Sequence, residues 1–585
     1  MKKIIIFLMF LIPSAVFSNW SSPVVVDTTE DLRSLGYDSV NKIVRDGSGQ
    51  LFVTYRKHYN DGNGNVYQNF VSYSVNNGTS WNILGDDLGT GPLQVVGRSA
   101  GNEGYHQRVG SLAFDKQGNI HFIWYGKDKD NTGNNERQIK YSHFANNDWS
   151  DWKNIAPIDG YVTGEYWQEH PNICAGYLGL YAVWEGRDAD NSSNAQIKFV
   201  KSLDGGNTWS SYHRITGIGA DNFTNEALKD RGQSRPFILS VFSPTLNTDI
   251  LYVFWYGGNT GTLQQIKVSY SSDGGDHWSG YYNIGQQDSG LNAYVQKSFD
   301  VAMDLAGNIY VVWSGQDSGS SSHYRLKYSK GSDGNTNGFI EKNEWTKWTN
   351  FVSPNVLEQD HPSLGIDIQT NLHLVYQDAD KFGNDIVNVT SSKIYYIMMK
   401  KNGVWTNKTQ ISGSKNINIF PYLRWQNNFA TGGSLDVIWE EGNNNNDSSF
   451  DIVYSQNTSY TLYKGDGASI SFPIYKTADD LGIEEGKETA YPNPVDFEAG
   501  ESVKFVVAFQ KGTPAKKTLY VFDLFGNLVY KDILEKQYVL ERPFDWDGTK
   551  MDGNRVTKGI YFYRIIMEYA TGRKEKTKTY KFLVR

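Results

Sequence analysis

The sequence predicts an all-β protein: a seven-bladed β-propeller, with a six-bladed ring as the alternative, followed by a small Ig-like β-sandwich. Three observations predict it. A strand-like segment ending in an aromatic recurs seven times, a later turn in each repeat opens onto a strand that begins with Trp, and residues 491–585 lose this period while keeping alternating apolar strands. Composition agrees, because 17 Trp, 38 Tyr and 29 Phe in 585 residues are an aromatic supply suited to strands and to stacking on ligands. The formal charge of −8 argues against nucleic acid or an anionic membrane surface as the main partner.

The N-terminus carries Lys2 and Lys3, an apolar run from Ile4 to Ile12 and the small-residue stretch Pro13 to Ser18. That order of regions reads as a secretory signal peptide over residues 1–18. The apolar run is short for a spanning helix and no other segment qualifies, so no membrane span is expected once the signal is removed. Cys174 is the single cysteine and forms no internal disulfide, so an exported chain of this kind relies on its core or on metal.

The repeat fills residues 19–460. Its strands end at Tyr55, Trp124, Trp184, Trp255, Trp313, Tyr376 and Trp439. Ahead of several copies stand tight-turn signals such as Asp115 to Asn119 and Asp304 to Asn308, which predict a hairpin at the start of each blade. Behind each copy come another strand, a second turn and a Trp-initiated strand, so each unit has four strands.

The second turn is the most specific piece. Ser202-Leu203-Asp204-Gly205-Gly206-Asn207-Thr208-Trp209 and Ser271-Ser272-Asp273-Gly274-Gly275-Asp276-His277-Trp278 share the form Ser-x-Asp-x-Gly-x-x-Trp, and Ser74 to Trp81 is a near copy with Asn76 for Asp. These turns resemble the Asp-box, or BNR repeat, of the sialidase-like propeller superfamily. The resemblance implies a structural motif on the face away from the ligand. Physically, the carboxylate accepts backbone N–H bonds across the turn, Gly takes the positive-φ position and Trp packs beneath. The Trp series continues as Trp149, Trp345 and Trp405, six for seven blades. The missing outer strand is expected at Trp20 to Val26, which would close the ring by pairing first strand with last.

Residues 461–490 read as a polar connector. Beyond it, Tyr491-Pro492-Asn493-Pro494, Leu519 to Val529, Trp546-Asp547-Gly548 and Lys558 to Ile565 are apolar alternations joined by Gly, Asp and Asn turns. They resemble the flagellar hook-capping Ig-like domain and the C-terminal sorting domains of type IX secretion. The resemblance implies the type IX machinery as a partner and export to the medium or outer surface of a Gram-negative bacterium.

Two groups of residues are candidate sites. Between Lys327 and Trp345 the fifth copy lacks an Asp-box and carries Asp333 to Glu344, which fits an EF-hand-type loop with Asp333, Asn335 and Asn337 as oxygen ligands, the Phe339 carbonyl, and Glu344 as the bidentate acid. A structural Ca2+ is expected there. The second group precedes the innermost strand of five blades: Gln107 and Arg108, Gln168 and His170, Gln233 and Arg235, Gln296 and Lys297, Gln359 and His361. In a propeller these positions converge at the mouth of the central channel, where amide, imidazole and guanidinium groups suit an acidic glycan. The loops after the aromatic strands add Asp128, Asp130, Asp188, Asp190, Asp378 and Asp380 on that face.

The superfamily resemblance implies a glycosidase that binds a sugar carboxylate with three arginines and uses a tyrosine nucleophile polarised by a glutamate, with an Asp as acid/base. Arg108, Arg235 and Arg424 are the candidates for the triad. The Phe/Tyr-Arg-Ile-Pro segment that normally supplies the first arginine is absent, and no Tyr-Glu pair identifies itself. Three readings therefore stand: a secreted propeller that recognises and hydrolyses acidic glycans, a propeller polysaccharide lyase using His170 or His361 with an arginine, and a non-catalytic adhesion or binding protein.

Overall fold

The computed structural model describes most of residues 20–585, apart from the connector 464–487 and a set of loop segments of which 85–104, 129–136, 156–165, 381–388, 508–515 and 536–543 are the longest. The signal-peptide expectation lies outside the described residues, as does nearly all of the connector. The chain divides into two compact units, with the boundary between Ala468 and Ser469.

Among the described residues the first unit is built of seven sheets of four or five strands. Each repeat forms one sheet. In the third, Gln168–Ala175, Leu180–Gly186, Gln196–Ser202 and His213–Arg214 pair in chain order, all antiparallel. The central strands are largely apolar because both faces are covered, and Leu180–Gly186 is buried at every position, Glu185 included. The seventh sheet has only three strands of its own, and Val24–Thr29 supplies the fourth by pairing antiparallel with Phe450–Asn457. Trp20 bridges to Asn457 and stacks edge-on with Tyr396 of the sixth sheet at 5.2 Å. The first unit extends slightly past the expected end at 460, since Leu462–Tyr463 pairs with Glu358–Asp367.

Neighbouring sheets are tied by hydrogen bonds. Lys42 of the first donates to the Gly110 carbonyl of the second at 2.6 Å. Asn172 of the third donates to Ser111 of the second at 3.3 Å and accepts from the Ile238 amide of the fourth at 3.0 Å. Gln265 of the fourth donates to the Tyr294 carbonyl ahead of the fifth, and Asp300 of the fifth accepts from Ser363 and the Leu364 amide of the sixth. Ser363 then accepts from the Leu423 amide of the seventh, whose Asp436 pairs at 2.9 Å with Arg45 of the first.

The turns match their expected chemistry. Asp204 accepts from the Thr208 hydroxyl at 2.6 Å and the Thr208 amide at 2.9 Å, which with the Ser202 hydroxyl hold its carboxyl at about 2, and Ser202 in turn accepts the Gly206 amide. Gly206 has φ +87°, and a Cβ there would lie 1.8 Å from the Tyr141 hydroxyl of the preceding sheet. Trp209 meets that same tyrosine edge-on at 5.1 Å, as Trp278 meets Phe199 and Trp81 meets Tyr454. The motif is thus an inter-sheet joint: the tryptophan packs on the neighbouring repeat as well as beneath its own hairpin.

The second unit pairs Glu488–Tyr491, Val503–Val507 and Phe544–Trp546 in one sheet, and Leu528–Glu535, Lys516–Phe522, Gly559–Glu568, Lys574–Lys576 and Tyr580–Val584 in another. Its first strand begins three residues ahead of the expected start at 491. Phe505, Leu519, Val521, Trp546, Tyr563, Ile565 and Phe582 fill the core between the sheets.

A buried ion pair also recurs. Lys140 pairs with Asp128, Lys198 with Asp188 at 3.1 Å, and Lys327 with Asp317. In the fourth sheet Asn259 stands at the acid's place in the sequence, the equivalent Lys267 donates to the Gly257 carbonyl, and burial pushes its ammonium down to about 7. Because the folded value lies below the ordinary 10.5, the contribution of Lys267 to stability should rise with pH between about 7 and 10.5, where only the unfolded chain holds that proton. Asn259→Asp restores the counter-charge. It should flatten that slope and raise stability at pH 7 by about 2 kcal/mol, read as melting temperature across the pH series.

Candidate functional site

The column of residues expected at the mouth stands at the start of the first strand in the second to sixth sheets. Four of its five glutamines share one arrangement. The indole N–H of Trp124, Trp184, Trp255 and Trp313 donates to the side-chain oxygen of Gln107, Gln168, Gln233 and Gln296 at 2.7–2.9 Å. Each glutamine amide then donates to two backbone carbonyls, as Gln168 does to Tyr166 and Arg187 at 2.8 and 2.7 Å. These amides are fully buried and saturated by the protein, which corrects the expectation that they face a ligand. Two residues after each tryptophan stands Gly126, Gly186, Gly257 or Gly315, where a Cβ would come within 1.7–2.2 Å of the glutamine oxygen. The sixth and seventh sheets have Asp378 and Glu441 at that place and lack the latch. There the Gln359 amide nitrogen and the Trp439 indole are buried without a hydrogen-bond partner.

The residue two positions after the glutamine adopts left-handed backbone in four sheets: His170 at φ +52°, Arg235 at +52°, Ser298 at +47° and His361 at +46°. Phe420 of the seventh sheet does the same at +54°. The ladder is bulged at each of these positions in the third, fifth, sixth and seventh sheets. Such conformations on residues with side chains cost about 1–3 kcal/mol each and persist where surrounding structure enforces them. Part of the enforcement is visible, since Glu185 accepts the Arg235 amide at 2.6 Å and Gln377 accepts the Phe420 amide at 3.3 Å, each from the preceding sheet.

Around these bulges the cations and acids alternate. His170 Nδ1 lies 3.0 Å from Glu185, and its ring is 5.4 Å from Tyr125. Burial by itself depresses the imidazole, but the Glu185 carboxylate, aided by Tyr125, outweighs it and pushes the group up to about 10. His170 is therefore an imidazolium near neutral pH, a donor and a fixed charge rather than a base. Arg137 pairs with Glu169 beside it. Lys297 lies 5.0 Å over the Tyr324 ring, and His361 pairs at 3.0 Å with Asp360, whose carboxyl is held low against its burial by His361 and Lys297.

The structure joins His170 to Arg235 through Glu185, and Lys297 to His361 through Asp360. Arg108 begins the second sheet beside them, whereas Arg424 lies outside the described residues. Tyr422, two residues before it, is close to Glu440, yet its hydroxyl donates to the Gly36 carbonyl at 2.7 Å and burial holds its pKa well above the ordinary value, the reverse of an activated nucleophile. Glu185 was absent from the sequence-based list. Its signal was a lone carboxylate directly after the aromatic of an otherwise apolar strand.

The acids expected on the same face are largely internal partners. Asp128 and Asp188 hold the buried lysines, Asp378 pairs with Lys408 at 3.1 Å, Asp190 pairs with Arg214 at 2.8 Å, and Asp380 accepts from Thr390; Asp130 is outside the described residues. In the Asp333–Glu344 loop, Asp333 accepts the Asn337 amide at 3.2 Å and Asn337 accepts the Phe339 amide at 3.1 Å. Glu344 turns both oxygens to the loop's own amides, Gly334 at 2.8 Å and Glu341 at 2.7 Å, so bidentate chelation requires it to release them. Asn335 lies outside the described residues.

Residues 498–583 match the family described as the CHU_C Type IX secretion signal domain. The protein is thus exported by the type IX route, to the medium or the cell surface, and among the described residues no helix is long and apolar enough to cross a membrane. No curated protein matches the sequence. Among solved structures, similarity is found to a Hadza microbial sialidase (12% identity, 68% of this chain and 73% of that one, TM-score 0.36). It is also found to a PL25 ulvan lyase (10%, 77% and 99%, TM-score 0.43) and to PorZ of the Porphyromonas gingivalis type IX secretion system (11%, 94% and 60%, TM-score 0.35).

Glu185 is the joint between two mouth residues. With a folded pKa near 10 against an ordinary 6.5, the His170–Glu185 pair contributes stability that is complete below about pH 6.5 and lost as pH rises through about 10. Glu185→Gln should abolish that alkaline loss and move the His170 titration, followed by imidazole proton resonances, down into or below the neutral range.

Proposed function

We propose that the first unit is a seven-bladed propeller that binds an acidic glycan at the end where the first strands of its sheets begin. The observation that carries this reading is the run of left-handed residues His170, Arg235 and His361 in sheets three, four and six, with Arg108 and Lys297 at the same strand starts in sheets two and five. Strained backbone of this kind concentrates at binding sites. Guanidinium forks pair with a carboxylate or sulfate in two-point geometry, and the His170 imidazolium adds a charge-assisted donor. Tyr324, beside Lys297 and part-exposed, offers a face for a sugar ring.

Recognition is favoured over hydrolysis. The His170 imidazole is protonated, the Tyr422 hydroxyl is committed to a backbone carbonyl, and neither supplies an activated nucleophile or a neutral-pH base. An array of sulfated and uronate-containing glycans, followed by product analysis on those that bind, tests the reading. Wild type is expected to bind at least one acidic glycan without releasing product, and Arg235→Ala to weaken binding by about 10–100-fold. An array with no acidic ligand removes the reading, and sugar release or an ultraviolet-absorbing unsaturated product replaces it with hydrolysis or lyase chemistry.

For the loop from Asp333 to Glu344 we propose weak Ca2+ binding, with Asp333, Asn335, Asn337, the Phe339 carbonyl and Glu344 as ligands and a structural role. The oxygen donors and their spacing support it. Millimolar Ca2+ should then raise the melting temperature of wild type by a few degrees and leave that of Glu344→Gln unchanged; identical melting in Ca2+ and chelator would count against the site.

A further inference from the structure

The second unit differs in charge from the chain that carries it. Residues 491–585 contain 17 Lys and Arg against 12 Asp and Glu, whereas the whole chain is at −8. The excess is not scattered. In Lys516–Phe522 and Gly559–Glu568 the residues Leu519, Val521, Tyr563 and Ile565 face the core, so the alternate positions form the opposite face of the sheet. Across that face the register sets Lys531 beside Tyr520, Tyr520 beside Arg564, Phe522 beside Phe562, and Phe562 beside Lys581. Three cations are thus interleaved with three aromatic rings. Lys531 lies 5.6 Å over the Tyr520 ring and Arg564 5.8 Å over Phe522. At one end the Asp523 turn adds Leu524 and Phe525, 63% and 88% exposed.

We propose that this outer face of the five-stranded sheet is a docking surface for an acidic protein surface of the type IX export machinery. The apolar rings offer area, and the three cations set among them require carboxylates opposite, since burying unpaired ammonium or guanidinium groups would be strongly unfavourable. A glycan fits less well. The central positions carry no Asn, Gln or Ser to accept from sugar hydroxyls, and the acids in register, Glu535 and Glu568, stand at one edge opposite Lys516. Glu568 is already paired with Lys574 at 3.1 Å. The inference is independent of the glycan reading, because it concerns the other unit and its readout is export.

The test uses the full chain expressed in a bacterium with a type IX system. The variant Lys531→Glu/Arg564→Glu/Lys581→Glu is expected to fall at least tenfold in the medium and on the surface and to accumulate in the periplasm. The charge-preserving variant Lys531→Arg/Arg564→Lys/Lys581→Arg should export at the wild-type level. Melting of the purified chains separates docking from folding, and should the triple reversal melt lower, Arg564→Gln at an unchanged melting temperature is read instead, with a severalfold loss expected. Normal export of a variant that melts like wild type overturns the proposal. Salt-sensitive binding of the wild type to vesicles of phosphatidylglycerol and phosphatidylcholine that the charge-reversed variant loses would also overturn it, in favour of a membrane surface.

Discussion

An indole N–H held by a glutamine carbonyl, with the amide of that glutamine bonded to two strand-end carbonyls, organises one end of four successive sheets. Each latch joins the beginning of a first strand to the end of the second. It satisfies four polar groups in a place that water does not reach, and leaving one of them unpaired would cost about 1–3 kcal/mol. The latch dictates a sequence rule. Glycine must stand two residues after the tryptophan, because a Cβ there would overlap the glutamine oxygen. The rule accounts for Trp-Tyr-Gly, Trp-Glu-Gly, Trp-Tyr-Gly and Trp-Ser-Gly in sheets two to five. The sixth sheet, with Tyr376-Gln377-Asp378, has neither the tryptophan nor the glycine, and the seventh, with Trp439-Glu440-Glu441, lacks the glycine. In the seventh, Asn418 stands at the glutamine's place with an amide one methylene shorter, and its nitrogen turns to the Ser392 and Lys415 carbonyls instead.

Two positions after the glutamine, or after Asn418 in the seventh sheet, the backbone turns left-handed whether or not the latch is present, and these positions carry the candidate site. His170, Arg235 and His361 occupy them, and the sheets are linked at this level by Glu185, Asp300 and Gln377. Positive and negative groups alternate so closely that the charge state of each depends on its neighbours: His170 is kept cationic by Glu185, and Asp360 is kept anionic by His361 and Lys297. The opposite ends of the strands do other work, since the turn glycines and tryptophans at Gly78 and Trp81, Gly206 and Trp209, and Gly275 and Trp278 pack three of the sheets on an aromatic ring of the neighbouring one.

Much of this was legible before any coordinates. The seven aromatic strands, the Asp-box turns and the closing role of Trp20 to Val26 follow from local chemistry repeated at intervals, and each corresponds to a feature of the structure. The glutamine column was visible too, but its meaning was not. A buried amide and a ligand-facing amide have the same sequence, and only the position of the Trp184 indole, sixteen residues from Gln168, separates them. Asp128 and Asp188 were misjudged for the same reason, because the lysines they face lie on another strand. Glu185 escaped notice because a single acid in an apolar strand has no partner until the third and fourth sheets are set side by side.

The sequence by itself determined the strand content, the turn types, the number of repeats that needed a place and the address written in the C-terminal domain. These depend on residues within a few positions of one another, where periodicity and turn chemistry act directly. Tertiary structure decided which polar groups are internal and which face outward, which histidine is charged, and that three cations and three rings share one sheet face. Those properties depend on register and on burial between strands distant in the chain, and electrostatic and hydrogen-bonding partners exist only once that register is set.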